Sequence, residues 1–344
     1  MHNPKTSLVD GVRAIDFFGT FAILGVTIML LLGLEFGGSV APWSSAKVIC
    51  LLVFGCLMIG IFVFSEKKLA TYPLMPLGMF KDRSNAGAFL VAFCHGMVFI
   101  AAEYYLPLWF QSVKSASPLR SGVLLLPVTL SAALTGILSG VVMNSTGRYR
   151  EIIWVGMALL TIGTGLYISF NTSTTTATLI GFQIVGGVGA GCVFHPPLIA
   201  IQAQVAQQDT ASATASLGFI RTVGLSVSIV VGGVVVQNSM NQNIGRLRSA
   251  GLLSESIAAT FMDGKAAANV DSIREIVDLD ERQLVQQAFA LSLSNMFIMF
   301  CAISGIGLLV SLLIRHAKLN EEHTETQTGI EKMSRRPQEG QTDR

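Results

Sequence analysis

The chain alternates long apolar stretches with short polar segments, and eight of the stretches are long enough to cross a bilayer as helices. Such a helix needs about 20 mostly apolar residues, because the hydrocarbon core is about 30 Å thick and each residue adds about 1.5 Å. The stretches lack the two-residue alternation of a membrane barrel, so an all-α polytopic membrane protein is predicted. The predicted spans are 17–35, 47–64, 86–111, 120–144, 152–170, 178–202, 214–237 and 290–314.

Composition agrees with a protein that lies mostly in lipid. Of the 344 residues, 51% are apolar and 13% are charged, whereas a soluble domain has about 25% charged residues. This excludes a soluble enzyme, a disordered regulator and a secreted disulfide scaffold. The five cysteines lie in apolar stretches without a CxxC pair, which indicates buried side chains and no metal site. A net charge of +2 gives no reason to expect a nucleic-acid partner.

Lys and Arg are concentrated in alternate loops, and this bias predicts the orientation of the helices. Segments 1–15, 65–85 and 145–151 together carry eight of these residues, and the loops between them carry at most three. We therefore expect both termini in the cytoplasm. The loop 238–289 is then extracellular, and the polar segment 315–344 is a disordered cytoplasmic tail.

The extracellular loop has a pattern of its own. Residues 253–262 and 271–289 place apolar side chains at helical spacing with charges between them. This spacing favours a short amphipathic helix on the membrane surface over a ligand-binding cap.

Polar side chains inside the spans are candidates for a transport pathway, because a charge at the bilayer centre costs about 2.5–3.5 kcal/mol. These candidates are His95, Glu103, Gln111 and Arg221. Glu103 is either a carboxylate that binds a proton or cation, or a group at the outer headgroups beside Tyr104 and Tyr105. Arg221 either extends its long side chain back to the headgroups, or faces a cavity and pairs with a carboxylate or with free carbonyl groups.

Glycine pairs predict where helices approach each other. Gly136 and Gly140 stand four residues apart in the fourth span, as do Gly187 and Gly191 in the sixth. In lipid, this spacing lets two backbones come into contact. The GGVGAG segment that contains the second pair does not complete a nucleotide-binding motif, so helix packing is favoured over cofactor binding.

A proline pair predicts the end of a helix in the sixth span. His195 precedes Pro196 and Pro197, and each proline removes a backbone donor. A helix end is favoured here over a proton relay through His195. A serine hydrolase at Ser226 is disfavoured, because no catalytic motif surrounds it, and no catalytic residue is predicted.

Four parts of the chain resemble fungal 14-span drug:proton antiporters of the major facilitator superfamily. In the segment STGRYRE, Gly147, Arg148 and Arg150 stand at the glycine and basic positions of the superfamily's cytoplasmic loop motif. The other three parts are AIDFFGT with LEFGG and PWSS (14–45), YYLPLWFQSVKSASPLRSG (104–122), and GGVGAGCVFHPPLIAIQAQV with DTASATASLGFIRTVG (186–224).

The resemblance implies a transporter whose N-terminal half, six of the fourteen helices, has no counterpart in this sequence. It aligns the chain with spans seven to fourteen, so 16–64 would be two extra central helices and 65–85 a cytoplasmic loop. The C-terminal six-helix half would then comprise 86–237 and 290–314, without its N-terminal counterpart. The implied activity is export of hydrophobic small molecules, such as secondary metabolites, toxins or drugs. Proton influx would supply the energy, and no cofactor is expected.

Two other hypotheses stay open at this stage. One is a non-transporting membrane fragment or regulatory relic, and the other is a basic amino acid transporter of the same superfamily that uses Glu103. The expected partners are a small-molecule substrate, the lipid bilayer and a separate N-terminal half. The plasma membrane is the expected location, with the vacuolar membrane as the alternative.

Overall fold

The computed structural model describes residues 16–37, 41–69, 74–75, 77–206 and 209–316. These residues form ten α-helices and two short 3-10 helices, without a β-sheet among them, and this confirms the predicted all-α fold. The predicted segment 1–15 and most of the predicted tail lie outside the described residues. The α-helices are α1 (Phe17–Phe36), α2 (Ala46–Lys68), α3 (Arg83–Lys114), α4 (Pro118–Thr146), α5 (Tyr149–Tyr167), α6 (Thr176–Phe194), α7 (Pro196–Gln202), α8 (Thr210–Ser249), α9 (Glu255–Phe261) and α10 (Leu279–Ser311).

Seven helical stretches of the described residues are long and apolar enough to cross a membrane. They are α1, α2, α3, α4, α6 together with α7, α8 and α10. The fifth predicted span, 152–170, corresponds to α5, which is not among them. α5 has only 19 residues, and the charged side chains of Arg150 and Glu151 in its first turn lower the mean hydropathy of this short helix. It still packs between α6 and α10 as part of the same bundle.

Six long helices share one core, with α3 at its centre. α3 packs against α4, α8 and α10, while α6 packs against α4 and α5. Large buried aromatic side chains fill the space between them, including Tyr105, Trp109 and Phe110 of α3 and Phe297 of α10. Burial of these side chains from both lipid and water gives the bundle dense packing, which is the main attraction between helices in a membrane.

α1 and α2 form an antiparallel hairpin at the side of this bundle. The two helices pack closely at two glycines, since a Cβ on Gly33 would lie 2.8 Å from Leu52 Cδ2 and one on Gly55 would lie 2.7 Å from Leu30 Cδ2. The hairpin contacts the bundle mainly through α8. Most of its large apolar side chains are exposed, such as Phe21 with 70% of its surface. Such an apolar exterior suits a lipid environment.

Two helices extend beyond their predicted ends. α8 continues past 237 to Ser249. α10 begins at Leu279 rather than at 290, and the Asp278 carboxylate caps this start by accepting the N–H groups of Asp280 and Glu281. Hydropathy detects the part of a helix that suits lipid, and a polar helix can continue into water because its backbone bonds stay satisfied. The predicted loop 238–289 is therefore mostly helical.

We refer to residues 244–289 as the cap. It contains α9, the 3-10 helix Val270–Glu275 and the polar ends of α8 and α10, around a small core of its own that includes Phe261 and Phe289. Three polar side chains attach it to the connection between α3 and α4. Arg274 donates to Ala116 O, while Arg282 and Gln286 donate to Ser115 Oγ at 3.3 and 3.1 Å.

Candidate transport site

The helix break at His195 is the main polar feature inside the bundle. α6 ends at Phe194 and α7 begins at Pro196, and neither Pro196 nor Pro197 has an N–H group to donate to the preceding turn. Leu198 N donates to His195 O at 3.0 Å instead of to Phe194 O, its ordinary helical partner. The Phe194 carbonyl is therefore left for a partner outside its own helix.

Arg221 of α8 provides that partner. Its Nη2 donates to Phe194 O at 2.8 Å, and its guanidinium carbon lies 4.9 Å from the centre of the Phe194 ring. The half-buried side chain thus faces the break between α6 and α7. A free carbonyl and an aromatic face are suited to a planar guanidinium, since it donates in its plane and stacks on rings.

His95 of α3 lies on the other side of the same break. Its ring is fully buried, and Nε2 lies 2.9 Å from Ala190 O, one turn before the end of α6. The ring stacks on Phe99 at 5.9 Å and meets the edge of Phe194 at 6.0 Å. His95 and Arg221 therefore both contact Phe194. We call these three residues the break cluster.

Glu103 lies apart from this cluster, between α3 and α4. Its carboxylate is half-buried and accepts a hydrogen bond from Thr129 Oγ1 at 3.1 Å. Among the described residues the three ion pairs are Arg150–Glu151, Arg248–Glu255 and Arg274–Asp271. The carboxylate of Glu103 thus has a hydroxyl partner and no basic partner in this part of the chain.

Gln111 occupies a third location, near the end of α3. Its Nε2 donates to Ser121 Oγ of α4 at 3.2 Å. It stands eight residues after Glu103, which corresponds to ~12 Å along the helix. The structure therefore brings His95 and Arg221 together and leaves Glu103 and Gln111 as separate contacts between α3 and α4.

The glycines of α6 lie against the backbones of two neighbouring helices. A Cβ on Gly187 would lie 2.4 Å from Val128 O of α4, and a Cβ on Gly191 would lie 2.3 Å from Ala132 O. Gly136 lies beside Gly191, with 3.7 Å between its own added Cβ and Gly191 O. Gly187 and Gly191 leave no room for a side chain without movement of a helix, whereas the 3.7 Å at Gly136 is an ordinary contact distance.

At Gly140 the spacing predicted a helix contact that the described residues do not show. A Cβ there would meet no described atom within 4 Å. The closest approach lies elsewhere, between α5 and α6. A Cβ on Gly189 would lie 2.2 Å from Leu160 N, and one on Gly163 would lie 2.3 Å from Gly186 Cα. The four-residue spacing of glycines in the sequence does not reveal which face of each helix packs against a neighbouring helix.

The connection between α4 and α5 has only two residues, Gly147 and Arg148. Gly147 adopts a left-handed conformation with φ of 68°, which glycine accepts without steric cost. Arg150 donates to Glu151 at 3.1 Å, and its guanidinium lies 4.7 Å from the Trp154 ring centre. Both of these partners of Arg150 belong to α5 itself. The side chain of Arg148 is exposed.

Two polar contacts were not predicted from the sequence. Thr129 binds Glu103, and Ser228 Oγ of α8 donates to Met97 O of α3 at 2.6 Å. Hydroxyl side chains are common in membrane helices because they can bond to their own backbone, so a lone Ser or Thr gives little signal. No cluster of three or more metal-binding side chains occurs among the described residues.

The described helices form an apolar bundle that encloses a helix break, an arginine, a histidine and a carboxylate bonded to a hydroxyl. These features define a polytopic membrane protein with polar groups in its interior. The family model of the Major Facilitator Superfamily matches residues 12–229, and the chain belongs to this superfamily.

Its relatives include named fungal transporters. The chain is 40% identical over 331 residues to "Efflux pump dotC" of Dothistroma septosporum. It is 40% identical over 329 residues to "MFS-type transporter ppz2" of Metarhizium majus and 29% identical over 325 residues to "Efflux pump FUS6" of Gibberella fujikuroi. These matches cover 96%, 95% and 93% of the chain, and 56%, 56% and 57% of the relatives. The chain thus spans a little over half the length of these relatives.

Proposed function

We propose that this chain acts as the C-terminal portion of a proton-driven exporter of hydrophobic small molecules. The names of the relatives support export, and a relative 34% identical is called "Acurin A biosynthesis cluster MFS-type transporter", which supports a secondary metabolite as substrate. Glu103 carries the proposal of proton coupling. A half-buried carboxylate with a hydroxyl partner can gain or lose a proton when its access to water changes.

The N-terminal half supplies the rest of the transport cavity in this proposal. Substrate sites in the superfamily lie between two halves near the middle of the bilayer, and the chain corresponds to 56% of the length of the dotC pump. Glu103 and Arg221 are both half-buried, so part of each side chain is free to face a partner half. We place the assembled transporter in the plasma membrane with both termini in the cytoplasm.

Reconstitution tests this function. The chain is placed in proteoliposomes, alone and together with the N-terminal portion of the dotC pump, and uptake of a hydrophobic fluorescent dye is followed with and without a pH gradient. We expect uptake that requires both portions and the gradient. Correctly inserted portions that leave dye uptake at the level of empty liposomes would identify a non-transporting fragment. Gradient-driven uptake of arginine in place of the dye would identify an amino acid transporter.

Two matched variants separate proton coupling from transport in general. Glu103→Gln keeps the shape of the side chain and its hydrogen bond to Thr129 but cannot release a proton. We expect it to abolish stimulation by the gradient. Glu255→Gln makes the same change in the cap, where the carboxylate is exposed and pairs with Arg248. This control should transport like the parent, and normal stimulation in Glu103→Gln would contradict the proposed role of Glu103.

A further inference from the structure

An apolar cavity of about 420 Å³ lies between the α1–α2 hairpin and α8. α1, α2 and α8 form its walls, and Met75, Leu77 and Phe80 contribute from the connection that precedes α3. Thr27 is the one polar residue among the described lining residues, and its hydroxyl donates to Ile23 O within α1 at 2.7 Å. The described part of the lining therefore offers a ligand no free hydrogen-bonding side chain.

The dimensions of the cavity match a single hydrocarbon chain. Its lining extends from Ile23 to Leu34 along α1 and from Leu52 to Val63 along α2. Each of these stretches rises by ~16 Å along its helix, which is about the thickness of one leaflet of the ~30 Å hydrocarbon core. Sites for drug-like or metabolite ligands have a few placed polar groups that fix orientation. An acyl chain has the right length and requires no polar group.

Exposed lysines lie beside one end of the cavity. Lys81 directly follows the lining residue Phe80, and Lys67 and Lys68 end α2 about one turn after the lining residue Val63. The orientation predicted from the sequence places this end in the cytoplasmic leaflet, which holds the anionic lipids. The lysines are therefore positioned to attract a negatively charged headgroup.

The carboxylates of this region are already engaged by backbone groups. Glu66 is buried and accepts the N–H groups of Leu74 and Met75 at 3.0 and 3.3 Å. Asp16 and Asp82 cap the first turns of α1 and α3. Among the described residues near this end of the cavity, the three lysines and Arg83 outnumber these three carboxylates, and the lysines are exposed.

We propose that this cavity binds one acyl chain of an anionic phospholipid, with the headgroup against Lys81, Lys67 and Lys68. The bound lipid fills the space between the hairpin and α8 and so holds the hairpin against the bundle. This site is separate from the break cluster and does not depend on proton coupling.

Photolabelling tests the proposal directly. The full chain is placed in nanodiscs that contain phosphatidylserine with a diazirine in one acyl chain, and the labelled residues are mapped by mass spectrometry after irradiation. We expect labels on the cavity-lining residues of α8. Val223→Phe narrows the cavity and should lower this labelling about fivefold. The matched control is Val53→Phe on α2, which lies outside the lining and is 51% exposed, so labelling should be unchanged.

A second variant tests the headgroup without entering the cavity. In Lys81→Gln the label should stay in the cavity. The preference for phosphatidylserine over phosphatidylcholine as a competitor should fall about threefold. Labels that spread evenly over the exposed helix faces and stay unchanged in Val223→Phe would overturn the site. Equal competition by both lipids in the parent chain would overturn the anionic headgroup. Displacement of the label by an apolar dye, but not by excess phosphatidylserine, would assign the cavity to a different ligand and overturn the lipid.

Discussion

The contact between α5 and α6 allows a quantitative test at Gly189. A Cβ built on Gly189 would lie 2.2 Å from Leu160 N and 2.7 Å from Leu160 Cα, which are backbone atoms and cannot rotate away. Ordinary contact begins at 3.4 Å, so Gly189→Ala requires the two helices to separate by about 1 Å. Overpacking of this kind costs about 1–3 kcal/mol.

Gly140→Ala is the matched control. A Cβ at Gly140 meets no described atom within 4 Å, so this variant shows mainly the intrinsic preference of a helix for alanine, about 1 kcal/mol. The same preference acts at Gly189, and the difference between the two variants isolates the packing cost. We expect Gly189→Ala to be less stable than Gly140→Ala by about 1–3 kcal/mol, a factor of about 5 or more in the folded-to-unfolded ratio.

The assay is unfolding of the purified chain in mixed micelles with increasing sodium dodecyl sulfate. Tryptophan fluorescence reports the transition, since Trp109 is buried in the bundle and Trp154 donates to Ser311 O between α5 and α10. Gly189→Ala should unfold at a clearly lower detergent fraction than Gly140→Ala. Equal midpoints would show that α5 and α6 separate without cost, and would refute the packing argument.

Three further experiments test the orientation and the polar contacts. Cysteines placed at Lys67 and Ser173 in a cysteine-free background should react with impermeant reagents from opposite sides of a vesicle, the first from the cytoplasmic side, and same-side labelling would remove the predicted orientation. In the assembled transporter, Arg148→Lys should transport normally because the side chain of Arg148 is exposed. Arg150→Lys should transport more slowly because lysine loses the stacked, planar contact with Trp154. Equal transport rates of the two variants would leave Arg150 only a role in setting the orientation of the helices. Arg221→Lys and Arg221→Gln should both insert and lose transport, since neither reproduces the guanidinium contacts with Phe194, and normal transport by Arg221→Lys would remove Arg221 from the site.

The helices could be predicted because lipid leaves few alternatives for an apolar run of this length. The polar ends could not, since the extension of α8 to Ser249 and the start of α10 at Leu279 are stabilised by the cap and by Asp278, which a hydropathy pattern does not report. Likewise α5 was predicted as a span from its apolar residues, but it is not among the helices of the described residues that are long and apolar enough to cross a membrane, since it has only 19 residues and Arg150 and Glu151 lie in its first turn.

The candidate site shows a similar limit. Pro196 and Pro197 indicated a helix break, and free carbonyls were one of the two partners considered for Arg221, which lies 2.8 Å from Phe194 O. The choice between carboxylate and carbonyl depends on how α8 is rotated against α6, and a sequence does not determine that rotation. The contact of Glu103 with Thr129 was missed for the same reason, because it joins two helices whose facing surfaces are known only after packing.

α8 also has a mechanical consequence. Its 40 residues form one continuous helix from Thr210 to Ser249, ~60 Å long and about twice the thickness of the hydrocarbon core. The cap is attached to its far part, where Asn241 Oδ1 accepts the N–H of Asp263 at 3.0 Å. If α8 tilts about Thr210 as one rigid rod, a tilt of about 10° displaces Ser249 by about 10 Å and the backbone at Arg221 by about 3 Å. A movement of α8 at the break cluster is thus enlarged about threefold at the cap.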